Sequence, residues 1–330
     1  MMRMILTADT SVVIPLEEAG RADIVISIEP RLVWGPLPSD AELAATLSAR
    51  TTQKPGSHWL DYAFPSSRKK IGGRDLGLIE LCERCERVEF WMGTEPNEQL
   101  VLIWLLDYLH SNADAETATN LILCHVDSSL RGDTPGDLAR WKFRADNITK
   151  DHLEIASLAW RAYRAPTPQP WFNLLKTDLS LLPQFRRCAV ELLEELPGRA
   201  TGLGASEMRI LELIAAGYWH PFYLFPHFKG RFQRRVFDER EVSALLDGLA
   251  LAPAPAVSGL AEWPVTIGMH DDRSRHERYK KSQLSLTALG KAILIQAEDF
   301  SRHNPIDRWW GGARLTNDRL WRWDPVLTAP

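Results

Sequence analysis

Short apolar, β-branched runs alternate with amphipathic stretches over the first 130 residues of the chain. Residues 3–8, 23–28, 87–92 and 120–126 read as four strands. Between the last two, Leu100, Ile103, Trp104 and Leu106 fall at helical spacing within 97–110, and residues 74–86 read as a further helix. Strand–helix–strand order with strands apolar on both faces predicts a parallel, Rossmann-like sheet. Residues 50–73, rich in Ser, Lys and Gly, read as an exposed polar excursion.

The pattern then becomes helical. Thr149 is placed to cap a helix running to Arg164, ended by Pro166 and Pro168. Residues 179–196 form a second, with Pro183 near its first turn and Pro197-Gly198 as its stop. Residues 206–216 form a third, closed by Gly217. Asp238 with Glu241 three residues later is a capping box opening a helix to about residue 250. Two β-like pieces follow, 264–267 and 283–286, separated by a charged stretch, and Thr287 opens a helix over 287–300. That order predicts a winged-helix-like module. The expected fold is thus α/β plus α. It comprises a Rossmann-like domain over 1–135, a helical region over 136–217, and a winged-helix-like module over 218–330 with a Trp-rich closing tail.

Composition narrows the class without changing this outline. The chain has 330 residues, 45% hydrophobic and 25% charged, as in an ordinary soluble globular protein. Its net charge is −4, and the slight basic excess after residue 200 is too small for a nucleic-acid arm. The apolar run from Leu100 to Leu106 stops at Asp107, far short of the ~20 residues that cross a bilayer. Asp9 interrupts the N-terminus before an apolar leader develops. Four cysteines without disulfide-framework spacing point to a reduced, cytoplasmic protein.

Candidate chemistry gathers where the strands end, because open parallel sheets bind ligands outside the carboxyl ends of their strands. Those ends carry Asp9, Thr10 and Ser11, then Glu29, then Glu95 with Gln99 in the following helix, and finally Asp127 and Ser128. Carboxylates and hydroxyls sharing one crevice can accept hydrogen bonds from a sugar, orient a water or hold a hydrated divalent ion. The competing explanation is that Asp, Ser and Thr are common in loops and helix caps. The phosphate-cradling patterns GxGxxG and GxxxxGK[ST] are absent. Cys82 and Cys85 form a lone CxxC within the expected 74–86 helix and lack further ligands at metal-site spacing. They read as buried thiols, no metal site is expected, and no cofactor is specified.

Two basic clusters bear on nucleic acid. Lys229, Arg231, Arg234 and Arg235 interleave with Phe228 and Phe232, and Arg273, Arg275, Arg278, Lys280 and Lys281 lie on the expected wing. The helix that would enter a groove, 238–250, begins Asp-Glu-Arg-Glu. Acids there stabilise the helix but repel phosphate, so packing or a protein contact is favoured over nucleic acid.

The tail is the most distinctive segment. Asp307, Arg308, Trp309, Trp310, Gly311 and Gly312 lead to Trp321, Arg322, Trp323 and Asp324. Indoles are costly to leave in water. The tail is therefore expected to dock, with Gly311-Gly312 in a tight turn and the charged residues bonding to or stacking on the indoles. The motif Asp-Arg-Trp-Trp-Gly-Gly-Ala-Arg-Leu followed by Trp-Arg-Trp-Asp resembles the closing motif of the bacterial domain of unknown function 1835 family. Trp34-Gly35-Pro36-Leu37-Pro38, Phe90-Trp91 with Glu98-Gln99-Leu100, and Ala159-Trp160-Arg161-Ala162-Tyr163-Arg164 resemble further segments of that family, in the same order. Leu182-Pro183, Gly202-Leu203 and Ile210-Leu211-Glu212 follow in order as well. The chain departs from the family pattern where Thr7-Ala8-Asp9 replaces an Asn-Gly-Asp-like turn, where Trp34 replaces an acid, and where Gly93-Thr94-Glu95 replaces a His-Asp. The resemblance supplies no established activity.

Three classes of function remain open. The first is binding, with hydrolysis as a candidate reaction, of a small polar or phosphorylated ligand at the strand ends. The second is a protein-interaction scaffold, and the third a winged-helix DNA-binding regulator.

Overall fold

A computed structural model describes residues 2–51, 54, 56–61, 63–72, 75–113, 120–126, 133–224, 236–261 and 273–324. The chain forms two compact units rather than three. Unit 1 comprises Met1–Leu32, Leu37–Arg164 and Asn173–Cys188, and unit 2 comprises Val33–Pro36, Ala165–Phe172 and Ala189–Pro330. The expected helical region over 136–217 is therefore divided between them.

Unit 1 holds β1 (Met2–Thr7), α1 (Val13–Glu18), β2 (Ile24–Ser27), α2 (Asp40–Leu47), α3 (Pro65–Ile71) and α4 (Leu78–Glu83). It continues with β3 (Cys85–Met92), α5 (Pro96–Asn112), β4 (Leu121–His125), α6 (Pro135–Arg140), β5 (Ala145–Asn147) and α7 (Lys150–Tyr163). The sheet order is β2-β1-β3-β4-β5. The first four strands are parallel, and β5 is an antiparallel edge that the sequence reading missed. Central Leu6 lies opposite Ile26 on one side and Phe90 on the other.

Side chains alternate across the sheet. Ile5, Val25, Trp91 and Cys124 join α1 residues Val13 and Leu16 in one buried cluster. The chain crosses from β1 to β2 in one direction and from β3 to β4 in the other. Right-handed crossovers then place α5 on the face opposite α1. Helix α5 is buried on nearly every side and packs against α7.

Two expectations in this unit need correction. Residues 50–73 are not simply an exposed excursion. Trp59, Leu60 and Ile71 are buried, and Ser67 Oγ on α3 donates to Val25 O at 3.1 Å, so the segment packs against edge strand β2. A composition count missed it because a few buried apolar side chains among polar ones suffice to anchor a short segment. The CxxC does not lie inside one helix either: Cys82 ends in α4 while Cys85 opens β3.

Helices α8 (Gln169–Leu174) and α9 (Phe185–Leu193) cross the unit boundaries. Helix α9 is shorter than the expected 179–196, because Pro183 lacks an N–H and disfavours helical backbone at the residue before it. Unit 2 then contains α10 (Ala205–Ala215), α11 (Glu239–Leu251), β6 (Val257–Ser258), α12 (Arg273–Lys280), β7 (Ser285–Leu286), α13 (Ala288–Leu294), α14 (Phe300–His303), β8 (Asp307–Trp310) and β9 (Ala313–Thr316). The Asp238–Glu241 capping box opens α11 as read from sequence. Strands β6 and β7 are antiparallel. The charged stretch before β7 carries helix α12, where only a connection was expected. The expected helix over 287–300 breaks into α13 and α14 at Gln296, whose φ of 59° leaves the right-handed helical region. The 264–267 piece and the cluster from Phe228 to Arg235 lie outside the described residues.

The tail forms a hairpin. Gly311, at φ 52°, supplies the left-handed backbone needed between β8 and β9. Trp310 and Trp323 are buried, whereas Trp309 is exposed. Arg308 Nη1 contacts Glu207 at 2.7 Å. Arg322 contacts Asp299 at 2.9 Å and Ser301 Oγ at 2.7 Å. Asp324 pairs with Arg199 at 2.8 Å, and Asp307 pairs with Arg314 across the hairpin at 2.8 Å.

Candidate functional site: the carboxyl ends of the sheet

The direction of crossover reverses between β1 and β3, so the carboxyl ends of these neighbours form the switch point where open sheets bind ligands. The loop after β1 is a one-turn 3-10 helix, Thr10–Val12, capped by Asp9. Asp9 is buried, and its Oδ1 accepts from Ser11 N at 2.9 Å and Ser11 Oγ at 2.7 Å. Asp9 and Ser11 are thus joined, and that carboxylate oxygen serves the local turn.

Thr10 behaves differently. Its hydroxyl and that of Ser27, the last residue of β2, both donate to Glu29 Oε1. The two hydroxyl oxygens are 3.3 Å apart. Thr10 and Glu29 are exposed, so the cluster opens to solvent. Parallel pairing of β1 with β2 brings it together, by setting Thr7 opposite Ser27 so that both strands end level.

At the end of β3 the polar groups turn inward. Glu95 stands at the N-cap of α5. Glu98 accepts from Gly93 N, and Gln99 Nε2 donates to Gly93 O at 2.6 Å. Asn97 accepts from Leu32 N at 2.8 Å and donates to Pro30 O at 3.0 Å. All three side chains in this first turn are buried. Gln99, a candidate ligand group from the sequence, therefore spends its amide holding Gly93, and with Asn97 and Glu98 it fixes the loops after β2 and β3. A Cβ on Gly93 would lie 2.7 Å from Glu98 Oε2, so the close approach requires glycine there.

Sequence reasoning missed Ser27, Asn97, Glu98 and a His–Asp pair at the end of β4. His125 Nε2 lies 2.8 Å from Asp146 Oδ2 on β5. Asp146 is held below the usual carboxylate range, first by Arg144 and also by His125. Nothing in the local sequence links positions 125 and 146, because the antiparallel β5 brings them together. Gln99, Met92 and His125, with Leu182, Pro183 and Gln184, line a pocket with about 20 Å³ of room for solvent, enough for roughly one water. Asp127 and Ser128 lie outside the described residues.

The thiols are unsuited to nucleophilic or redox work. All four are buried and none is in a disulfide. Burial pushes Cys82 and Cys124 well above the ordinary thiol value, with Cys85 adding to the first and Glu89 to the second. Burial and Asp23 push Cys85 up to about 11. Little thiolate is available near neutrality. Ellman's reagent should therefore label no cysteine of the native protein within minutes and four per chain after denaturation. Rapid native labelling of the Cys82–Cys85 pair would contradict this account. Among the described residues, no group of three or more His, Cys, Asp or Glu side chains is placed to hold a metal ion.

No helix among the described residues is long and apolar enough to cross a membrane. Neither a family model nor a curated protein matches the chain.

Proposed function

We propose that the protein binds a small, hydroxyl-rich or amine-bearing ligand at the carboxyl ends of β1 and β2. The convergence of the Thr10 and Ser27 hydroxyls on exposed Glu29 carries this reading. A hydroxyl that donates its single proton to a carboxylate is left as an acceptor. Ser27 is buried and orients the carboxylate from beneath, while the exposed Thr10 hydroxyl and the Glu29 carboxylate present acceptors that select ligand donors, namely sugar or polyol hydroxyls or an ammonium group. A phosphorylated ligand would meet repulsion, so the phosphate alternative is the weaker one. The His125–Asp146 pair at the end of β4 is separated from this cluster by β3 and is not assigned a part in the binding.

A thermal-shift panel of polyols, sugars, amino sugars and nucleosides, set beside inorganic phosphate and sugar phosphates, tests this. A ligand at a hundredfold its Kd stabilises by about 2.7 kcal/mol, so a binder in the donor-rich classes should raise Tm by several degrees. Glu29→Gln and Thr10→Val should each abolish that shift and leave the ligand-free Tm unchanged within about 2 °C, because both side chains are exposed. A shift confined to phosphates, a shift that survives both substitutions, or no shift across the panel would overturn the proposal.

The proposal extends to setting and architecture. Four buried thiols outside any disulfide support a reducing, cytoplasmic location. Packing of α10 with α11 and α13 beside the β6–β7 ladder supports a winged-helix-like core elaborated by α12. Membership of the domain of unknown function 1835 family belongs to the same proposal, supported by the order of the motifs quoted above.

A further inference from the structure

Unit 2 carries an aromatic and cationic surface that the strand-end reading does not use. Trp219 is 58% exposed, Tyr223 49% and Tyr218 38%. Trp219 and Tyr223 thus leave large aromatic surface open to water close together in sequence. Their segment is anchored beside α12. Trp219 O accepts from Leu284 N at 2.7 Å, and His220 Nδ1 lies 3.1 Å from Ser282 O. Phe222 packs edge-on against Tyr279 of α12 at 5.7 Å and against His276 at 5.5 Å. Lys280 Nζ stands 5.8 Å from the centre of the Phe222 ring.

Helix α12 and the residue after it supply the charge. Residues 273–281 hold five Arg and Lys side chains against one carboxylate, Glu277. Glu277 pairs with Lys280 at 3.6 Å. Arg278, Lys280 and Lys281 are exposed. A chain of net charge −4 thus concentrates positive charge beside its exposed aromatic cluster.

We propose that this face binds single-stranded nucleic acid, with Trp219 and Tyr223 stacking on bases and Arg278, Lys280 and Lys281 contacting the backbone. Exposed π-faces flanked by cations match the two needs of an unpaired strand, base stacking and phosphate neutralisation. An acidic peptide would use the cations and leave the rings idle. Duplex readout by α11 is disfavoured as before, because its first turn carries Glu239 and Glu241 behind the Asp238 cap. The proposed surface does not involve that helix end.

The test is fluorescence anisotropy of the full chain with labelled 15-mers of oligo(U), oligo(dT) and a mixed-sequence duplex, with a salt titration. Unlabelled anionic phospholipid vesicles and polyglutamate serve as competitors. Expected is binding of one or both single strands at least tenfold tighter than the duplex, weakening as salt rises. The oligo(U) and oligo(dT) arms separate RNA from DNA preference. Trp219→Ala and Tyr223→Ala should each weaken binding roughly tenfold, and Arg278→Glu combined with Lys281→Glu should remove it at 150 mM salt. All four side chains are exposed, so circular-dichroism melts should match the parent protein. No binding at 50 mM salt, equal affinity for the duplex, indifference to the aromatic substitutions, or full displacement by vesicles or polyglutamate at equal charge would overturn the proposal.

Discussion

Replacing Trp310 by alanine is expected to destabilise unit 2 by about 3–5 kcal/mol, the cost of truncating a large buried aromatic. Trp310 is buried in β8 and donates its Nε1–H to Leu192 O at 2.7 Å. Its ring meets Trp171 edge-on at 6.2 Å, and Trp171 in turn donates to Ala189 O at 3.0 Å. Alanine would open a cavity, remove the aromatic pair and leave the Leu192 carbonyl without this donor. Trp310→Phe keeps most of the ring but loses the hydrogen bond and should cost about 1–2 kcal/mol. Trp309, its exposed neighbour, should tolerate alanine within about 1 kcal/mol. Urea unfolding of the three variants checks the order. If Trp310→Ala costs no more than Trp309→Ala, the tail does not hold unit 2 in the way described.

The second large effect is a pH dependence centred on Glu195. This carboxyl is buried, and burial pushes it up to about 7. Ser206 opposes that shift, donating from its N at 3.1 Å and its Oγ at 2.7 Å. Glu207 raises it and Arg308 lowers it. In the unfolded chain Glu195 releases its proton near the ordinary value of about 4.3, whereas the folded chain keeps it to about pH 7. The unfolded state then binds fewer protons than the folded one across this window. Stability falls as pH rises from about 4.5 to 7 and flattens above, by on the order of 3 kcal/mol in total. Glutamine resembles the protonated acid and does not titrate. Urea unfolding from pH 4.5 to 8.5 should therefore show Glu195→Gln gaining on the parent protein up to neutrality, then running parallel to it. Parallel profiles throughout would show that Glu195 ionises in the folded state at its ordinary value.

Much of the architecture was legible in the chain because it rests on local rules. The apolar runs of β1 to β4 announce strands covered on both faces, and these four strands pair in parallel as those runs require. The Asp238–Glu241 spacing announces the start of α11 through a bond that closes within one turn. Only three residues long and bearing Asp146 and Asn147, β5 gives no such signal. Its strand character comes from pairing with β4, which supplies the hydrogen bonds its own sequence does not predict.

The candidate site shows the same division more sharply. Asp9, Thr10, Ser11, Glu29, Glu95 and Gln99 could all be found at strand ends from sequence, but their roles could not. Whether a polar group faces solvent or spends its valence inside the fold depends on the partners the folded chain brings to it, near or distant in sequence. Asp9 closes on Ser11 two residues away. Gln99 reaches back to Gly93, whereas Thr10 meets Ser27 and Glu29 across the β1–β2 pairing. His125 finds Asp146 across a strand ladder. The amino-acid sequence by itself determined the four parallel strands, the capped helices and the candidate polar residues, because periodicity and capping act over a few residues. Only the tertiary structure decided which of those residues remain open to a ligand. A buried polar group must find a hydrogen-bond partner wherever the packed chain supplies one, and only groups left at the surface are available to bind.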